Sequence, residues 1–213
     1  MRAARSMNGF ERDARGRGYQ RVAGIDEAGR GPLAGPVLAA AVILPPDYED
    51  PEINDSKELT PRQRERLCEV IHRDAVAVGI GVVEAPVIDA INILQATLAA
   101  MKEAVLSIVP HPDCLLIDGL NRVSLAIPQE TIVHGDGRSI SVASASIVAK
   151  VSRDRIMELY HRQFPQYNFL MNKGYATREH REAIAKYGRC KIHRCSFRVA
   201  EIEGLLVNAT LGF

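Results

Sequence analysis

Short apolar runs separated by glycine- and proline-rich stretches dominate the early part of the chain. One run reads RVAGIDE from Arg21, a second reads PVLAAAVILPP from Pro36, and the loop GRGPLAG joins them. Runs of this length, bounded by turn residues, are typical of strands. We therefore expect two neighbouring strands in an antiparallel pair.

Two helices are predicted after this pair. Thr60 followed by Pro61 and Gln63 matches a capped helix start, with a capping box and proline at the first helical position. Over residues 87–109 apolar side chains recur three and four positions apart, which predicts a second helix. These apolar positions are Ile88, Ile91, Leu94, Leu98, Met101 and Val105.

Further strands are predicted at residues 75–83, 114–118 and 131–136. The segment SISVASASIVAKVSRDRIMELYHRQF follows, and its small residues suit a helix that packs closely on a sheet. A last short helix is expected near Thr177. The order ββ(αβ)(αβ)β followed by helices predicts an α/β protein with a mixed sheet.

The polar N-terminal segment, the lengths of the apolar runs and the number of cysteines indicate how the chain is organised. Residues 1–19 are polar and lack periodicity, which predicts a flexible N-terminal arm before one domain over residues 20–213. No apolar run reaches the roughly 18 to 20 residues of a membrane span, and no secretory signal is recognisable. The four cysteines are too few for a disulfide framework. We expect a monomeric cytoplasmic protein that binds no membrane.

The net charge of +1 conceals a strong asymmetry. Residues 138–198 hold 13 Lys and Arg against 4 Asp and Glu, whereas the rest of the chain holds 14 against 22. A basic region of this kind predicts a polyanion such as nucleic acid as the partner. The basic side chains considered for such contacts are Lys150, Arg153, Lys173 and Arg178.

Carboxylates stand at the ends of three predicted strands. They are Asp26 with Glu27, Asp118, and Asp136. Like charges that converge either raise a pKa or bind cations, and oxygen ligands favour Mg²⁺ or Mn²⁺. Two such ions about 3.5 to 4 Å apart commonly catalyse phosphodiester cleavage. Adjacent strand residues point to opposite faces, so Asp26 and Glu27 share a site only where the strand kinks or ends.

The loop between the first two strands allows two interpretations. Gly29, Gly31 and Ala34 match the G-x-G-x-x-A fingerprint of dinucleotide-dependent oxidoreductases, but a helix should follow it, and here another β-rich run does. Alternatively, the exposed peptide groups of Gly29, Arg30 and Gly31 could read a ribose 2′-hydroxyl. A non-catalytic nucleic-acid-binding module is a further alternative.

Six ordered blocks resemble bacterial ribonuclease HII: VAGIDEAGRGPLAGPV, NDSKELT, LLIDG, HGDGRSISVASASIVAKVSRDR, KGYATREH and IHRCSF. They extend from Arg21 to about Phe197. The resemblance implies a ribonuclease H-like fold with a mixed central sheet, flanking helices and a small C-terminal helical part. It also implies an endonuclease that cuts the RNA strand of RNA–DNA hybrids and the 5′ side of single ribonucleotides in duplex DNA. Catalysis would use two Mn²⁺ or Mg²⁺ ions, and the cleaved strand would carry 3′-hydroxyl and 5′-phosphate ends.

The resemblance also assigns roles to individual residues. The metal-binding and catalytic carboxylates would be Asp26, Glu27, Asp118 and Asp136. The substrate contacts would be Gly29, Arg30 and Gly31 for the 2′-hydroxyl, Tyr175 for stacking on the neighbouring deoxyribose, and Lys57 for a phosphate. This chain has His134 where the family usually has lysine, which removes a fixed charge beside Asp136. Asp154 is interpreted as an ion-pair partner of Arg153 or Arg155, and no protein partner is predicted.

Overall fold

The structure, a computed structural model, describes residues 7–198, and a mixed five-stranded sheet forms the centre of this part of the chain. The strands are β1 (Val22–Ala28), β2 (Val37–Ile43), β3 (Ala77–Val83), β4 (Cys114–Asp118) and β5 (Gln129–Ile132). Their order is β3-β2-β1-β4-β5. Strands β1, β2 and β3 pair antiparallel, and β4 pairs parallel with β1 and β5. The predicted antiparallel pair and mixed sheet are confirmed.

Helices cover both faces of this sheet. Within the described residues they are α1 (Gly9–Gly16), α2 (Pro61–Asp74), α3 (Ala85–Leu106), α4 (Ile140–Gln163), α5 (Phe169–Asn172) and α6 (Arg178–Tyr187). One core lies between the sheet and α3, and another lies between the opposite face and helices α2 and α4. Helices α5 and α6 pack beside the end of α4 around a separate core, which includes Met157, Tyr167 and Phe169. This is the predicted small C-terminal helical part.

Helix α2 begins where its sequence signature predicts. The Thr60 hydroxyl accepts from the backbone N–H of Gln63, and the Gln63 side chain accepts from the backbone N–H of Thr60. Pro61 occupies the first helical position, where its missing N–H costs nothing. Local sequence is sufficient here because every group involved lies within one turn.

Helix α4 lies very close to β1, as its small residues predict. A Cβ atom added at Gly24 would collide with the backbone of Ser141. Buried Ala143, Ala145 and Ala149 continue the close-packed surface along the helix. The start of α4 therefore lies directly behind Gly24, in the first half of β1.

Helix α3 is interrupted, whereas the periodicity predicts one continuous helix. Asn92 has φ 68°, and its side chain accepts from the backbone N–H groups of Leu94 and Gln95, as at the start of a new helix. The break changes the direction of the apolar face. Ile91 and Leu94 are therefore 38% and 36% exposed, although their spacing predicts core positions.

The expectation of a flexible arm over residues 1–19 is wrong for its described part. Residues Gly9–Gly16 form α1, and buried Glu11 accepts hydrogen bonds from the Ser139 hydroxyl (2.5 Å) and the Ser141 backbone N–H (3.0 Å). These partners lie about 130 residues away, so no local pattern reveals them. Residues 1–6 of the predicted arm and 199–213 of the predicted domain lie outside the described residues. Across residues 7–198, no helix combines the length and apolar character of a membrane span.

Candidate active site

Asp26 and Glu27 lie side by side near the end of β1 and point to opposite faces of the sheet. The strand stays paired with β2 through Ala28, whereas its pairing with β4 stops at Ile25. The strand therefore ends just after the two acids, without a kink between them. Asp26 faces α4, where Ser146 is close enough to lower its pKa against the effect of burial. Glu27 instead lines a cavity of about 60 Å³ beside α3, together with Asp118. The two side chains therefore approach the sheet end from its two sides.

Asp118 ends β4, the parallel neighbour of β1. Ile25 lies opposite Ile117, so Asp26 and Asp118 are the next residues along two adjacent strands. The backbone N–H of Gly135 donates to Asp118 Oδ1 at 2.7 Å. This bond connects the end of β4 to the turn that carries the fourth acid.

Asp136 does not lie at a strand end, which corrects the predicted strand over residues 131–136. Strand β5 ends at Ile132, and Asp136 lies in a short 3₁₀ turn (Gly135–Gly137) just before α4. His134 has φ 55°, in the left-handed region, as the chain reverses there. The turn is needed because the chain must leave the sheet edge and enter α4 behind it. Asp136 is nevertheless buried beside Asp118.

The acids at the strand ends raise the pKa values of one another, and burial is the largest cause. The pKa of Asp26 lies well above its usual range because of burial and the charges of Glu27 and Asp118. Burial also raises the pKa of Glu27, against the opposing effect of Arg30. Burial raises the pKa of Asp118, and the charge of Asp136 contributes. We call Asp26, Glu27, Asp118 and Asp136 the acid cluster.

Two cationic side chains contact the acid cluster. Arg30 Nη1 lies 3.2 Å from Glu27 Oε1, and Lys57 Nζ lies 2.6 Å from Asp136 Oδ2. The Lys57 side chain is 75% exposed, whereas that of Asp136 is 4% exposed. The Asp136 carboxylate strengthens the hold of Lys57 on its proton and raises its pKa. The sequence assigns Lys57 to a phosphate, but the structure places its ammonium group on an acid.

The donor set of the acid cluster suits hard divalent cations. All its side chains offer carboxylate oxygens, and negative charge remains after Arg30 and Lys57 are counted. Within residues 7–198, no three His, Cys, Asp or Glu side chains already surround a common point as a metal cage. Arg30 and Lys57 each engage one carboxylate oxygen, and Gly135 engages another. The cluster therefore fits a cation by charge and ligand type, in competition with these groups.

The loop after β1 connects two strands, which removes the dinucleotide interpretation. It leads from Ala28 directly into β2, and no helix opens on it. Gly29 has φ 92°, a conformation that favours glycine. The far part of the loop is fixed by hydrogen bonds from Leu33 N–H to Gly174 O and from Gly35 N–H to Ile192 O. The C-terminal helical part therefore holds the loop against the sheet.

Tyr175 lies beside this loop, as the resemblance implies. Its side chain is partly exposed, and a Cβ atom added at Gly31 would lie 3.8 Å from its ring. Its backbone carbonyl bonds to the ring of buried His180 at 2.8 Å. The guanidinium of Arg153 lies 6.0 Å from the centre of the Tyr175 ring. Tyr175 and the loop thus form one continuous surface next to the acid cluster.

The four basic side chains considered for nucleic-acid contacts are either buried or engaged in ion pairs. Arg153 is 1% exposed and donates to the backbone carbonyl groups of Ala34, Pro36 and Lys173. The other candidates make ion pairs: Lys150 with Asp154, Lys173 with Glu158, and Arg178 with Glu182. Asp154 therefore pairs with Lys150 at 2.6 Å, and the predicted pairing with Arg153 or Arg155 is wrong.

Sequence reasoning also missed two residues that shape the site. Ser146 lies near Asp26 and lowers its pKa, and buried Arg194 donates to the carbonyl groups of Gly29, Arg30 and Gly35. Arg194 lies in the block IHRCSF, which the resemblance includes without a role. Position in that block is the only sequence signal that could have drawn attention to it.

Comparison with known proteins agrees with this geometry. The family model described as Ribonuclease HII matches residues 23–200. The chain is 68% identical to Ribonuclease HII of Syntrophus aciditrophicus over 193 residues, with 91% of each chain covered. It is 56% identical to Ribonuclease HII of Geotalea daltonii over 188 residues, which is 88% of this chain and 87% of the relative.

Solved structures support the same fold. Ribonuclease H2 from Pyrococcus horikoshii superposes with a TM-score of 0.73 at 24% identity, covering 88% of this chain and 99% of that one. Bst-RNase HIII in complex with Mn²⁺ superposes with a TM-score of 0.68 at 19% identity, covering 90% and 71%. The fold is the ribonuclease H-like α/β fold. The chain belongs to the ribonuclease HII family, whose members are endonucleases acting on RNA–DNA hybrids.

Proposed function

We propose that this enzyme hydrolyses the phosphodiester on the 5′ side of a ribonucleotide, including a single ribonucleotide embedded in duplex DNA. The products are a 3′-hydroxyl and a 5′-phosphate, and water is the nucleophile. The observation that carries the proposal is the acid cluster lying beside the loop Gly29–Gly31 and Tyr175. Cleavage next to a ribose requires the catalytic acids to lie beside the groups that recognise the ribose, and the acids, the loop and the aromatic ring have this arrangement.

The acid cluster is proposed to hold two Mn²⁺ or Mg²⁺ ions in the catalytic complex. Bound there, such ions activate water and stabilise the leaving oxygen. Asp26 and Glu27 approach the sheet end from its two faces, and Asp118 lies between them and Asp136. The crystallised Bst-RNase HIII complex with Mn²⁺ supports a divalent metal for a protein of the same fold.

The loop and Tyr175 are proposed to select the substrate. Exposed peptide groups of Arg30 and Gly31 are suited to a hydrogen bond with the ribose 2′-hydroxyl, the group that distinguishes RNA from DNA. The half-exposed ring of Tyr175 is suited to stacking on the deoxyribose that follows. Once released from Asp136, Lys57 could contact a phosphate, because its side chain is largely exposed.

The experiment is a nicking assay on duplex DNA that contains one ribonucleotide. Asp118→Asn should abolish cleavage with either Mg²⁺ or Mn²⁺, while binding to the duplex survives. Asp113→Asn is the matched control, because Asp113 precedes the same strand at its opposite end and bonds to the Arg21 backbone. This control should cleave at a rate close to that of the unmodified protein.

Unchanged cleavage by Asp118→Asn would contradict the catalytic assignment. Binding without metal-dependent cleavage by the unmodified protein would instead support a non-catalytic module. A cytoplasmic location and a monomeric state remain predictions. The free thiols of Cys68, Cys114, Cys190 and Cys195 fit a reducing compartment.

A further inference from the structure

Arg194 is a buried cation that contacts the start of the loop after β1. It is 1% exposed, and its guanidinium donates to Gly29 O at 2.6 Å, Arg30 O at 2.9 Å and Gly35 O at 3.0 Å. All these acceptors are backbone carbonyl oxygens. A planar guanidinium with donors in fixed directions therefore defines where the loop carbonyls point.

The segment that carries Arg194 is itself anchored. Asp89 of α3 accepts from the backbone N–H groups of Cys195 and Ser196 at 2.8 Å each. Arg189 donates to the carbonyl groups of Arg194, Cys195 and Phe197. Hydrogen bonds from Arg189 and to Asp89 thus hold the backbone of the segment, and this fixes the point from which the Arg194 side chain extends.

The burial of Arg194 carries an energetic cost that packing alone does not explain. Burial is the main cause that lowers its pKa to about 9, and the charge of Arg153 adds to the effect. An apolar side chain of similar volume would avoid the loss of hydration. What the guanidinium provides, and an apolar side chain cannot, is a set of directed donors to the loop.

The direction of the loop carbonyls determines the direction of the loop amides. In a planar trans peptide, the C=O and the following N–H point to opposite sides. Because Gly29 O and Arg30 O face Arg194, the N–H groups of Arg30 and Gly31 point away from it. Both residues are exposed, and neither N–H donates to another group within residues 7–198.

We propose that Arg194 is a positioning residue for ribose recognition. It turns the carbonyls of Gly29 and Arg30 inward, so that the amides of Arg30 and Gly31 face the ribose 2′-oxygen before substrate binds. This role rests on the proposed function of the loop. It extends that function to a side chain that does not touch the substrate.

The experiment compares Arg194→Lys with Arg15→Lys. Both changes keep a positive charge and remove a guanidinium that donates to a backbone carbonyl, but Arg15 of α1 donates to Leu44 after β2, whereas Arg194 donates to the loop. Single-turnover cleavage is measured at saturating enzyme on duplex DNA with one ribonucleotide. Duplex affinity and thermal stability are measured in parallel.

Arg194→Lys should cleave about 10- to 100-fold more slowly, because a misplaced binding group lowers the rate of the chemical step. Its duplex affinity should stay within about threefold, since phosphate contacts provide most of it. Arg15→Lys should stay within about threefold in both measurements. Equal rate losses in the two variants, or an unchanged rate in Arg194→Lys, would overturn the proposal.

A second measurement applies even where Arg194→Lys does not fold. Backbone ¹⁵N relaxation of the unmodified protein should give Arg30 and Gly31 order parameters near the rigid value of about 0.85 without substrate. Values below about 0.6 would show a loop that Arg194 does not hold, and would overturn the proposal. If the unmodified protein fails to cleave at a ribonucleotide, the proposed function fails, and the order parameters still test the role of Arg194.

Discussion

The acid cluster and the arginine pair, Arg153 with Arg194, both gather like charges in buried surroundings. In the acid cluster, negative charges lie together, and within residues 7–198 only Arg30 and Lys57 form ion pairs with them. The arginines instead donate to backbone carbonyl oxygens of the loop after β1 and its neighbours. One group of charges is left partly uncompensated, and the other is satisfied by fixed dipoles.

The acid cluster is therefore suited to binding, and the arginine pair to positioning. The carbonyl groups that accept from the arginines are part of the backbone, so arginines and loop hold each other in place. The surplus charge of the acid cluster can be balanced only by cations that come and go. The same fold therefore contains a rigid group that holds the loop and an electrostatically strained group that is suited to ligands. Opposite effects on stability should follow when each is neutralised.

The largest effect on stability is expected for Arg153→Met. The change leaves carbonyl oxygens of Ala34, Pro36 and Lys173 without their donor in a buried place. We expect the free energy of unfolding to fall by about 3 kcal/mol, measured by urea denaturation. The matched control is Arg155→Met on the same helix, whose arginine makes an ion pair of 3.5 Å with Glu65 at the surface. A control loss as large as that of Arg153→Met would contradict the positioning role.

A comparable effect is expected from acid, because His193 is buried beside a second histidine. His180 Nε2 and His193 Nε2 lie 3.1 Å apart, and burial followed by the charge of His180 lowers the pKa of His193 to about 4. The unfolded chain then binds a proton that the folded chain does not. Stability from this group is complete above pH 6.5 and is lost as the pH falls towards 4, by about 3 kcal/mol in total.

The measurement is the free energy of unfolding from pH 7 to pH 4, for the unmodified protein and for His193→Gln. Carboxylates contribute to both curves, so the difference between the curves isolates the histidine. The unmodified protein should show the steeper loss. Parallel curves would mean that His193 titrates normally in the folded state.

The smallest effect, with the opposite sign, is expected for Asp26→Asn. Neutralising this buried acid removes its repulsion with Glu27 and Asp118. In metal-free buffer we expect a gain of about 1 kcal/mol in unfolding free energy, together with loss of cleavage. Added Mn²⁺ should stabilise the unmodified protein more than the variant, as thermal unfolding would measure. A variant less stable than the parent without metal would contradict the idea of electrostatic strain.

Short-range signals predicted much of this molecule. The capping box at Thr60 determined where α2 begins, and the small residues of α4 predicted its close packing. The acids at Asp26 and Asp118 follow adjacent parallel strands, as their strand-end positions indicate. In each case the relevant groups lie within a few residues, or within the regular geometry of one sheet.

The errors have two causes. Helix α1 is short and polar, and its burial depends on Glu11 reaching Ser139 and Ser141. The interruption of α3 depends on a single asparagine with positive φ, which apolar spacing does not register. Asp136 lies in a turn whose shape is determined by the path of the chain into α4. Contacts between distant residues decided the position of α1 and of Asp136, whereas the interruption of α3 is a local effect of Asn92.

The buried bond between Glu11 and Ser141 joins residues 130 positions apart, and that between Arg194 and Gly29 spans 165. Ribosomes release the N-terminal end first, so the early partner in each bond must wait for the late one. A nascent polypeptide that has not yet reached residue 194 lacks the side chain that anchors the loop after β1. Final positioning of this loop is thereby tied to synthesis of the chain at least as far as residue 194.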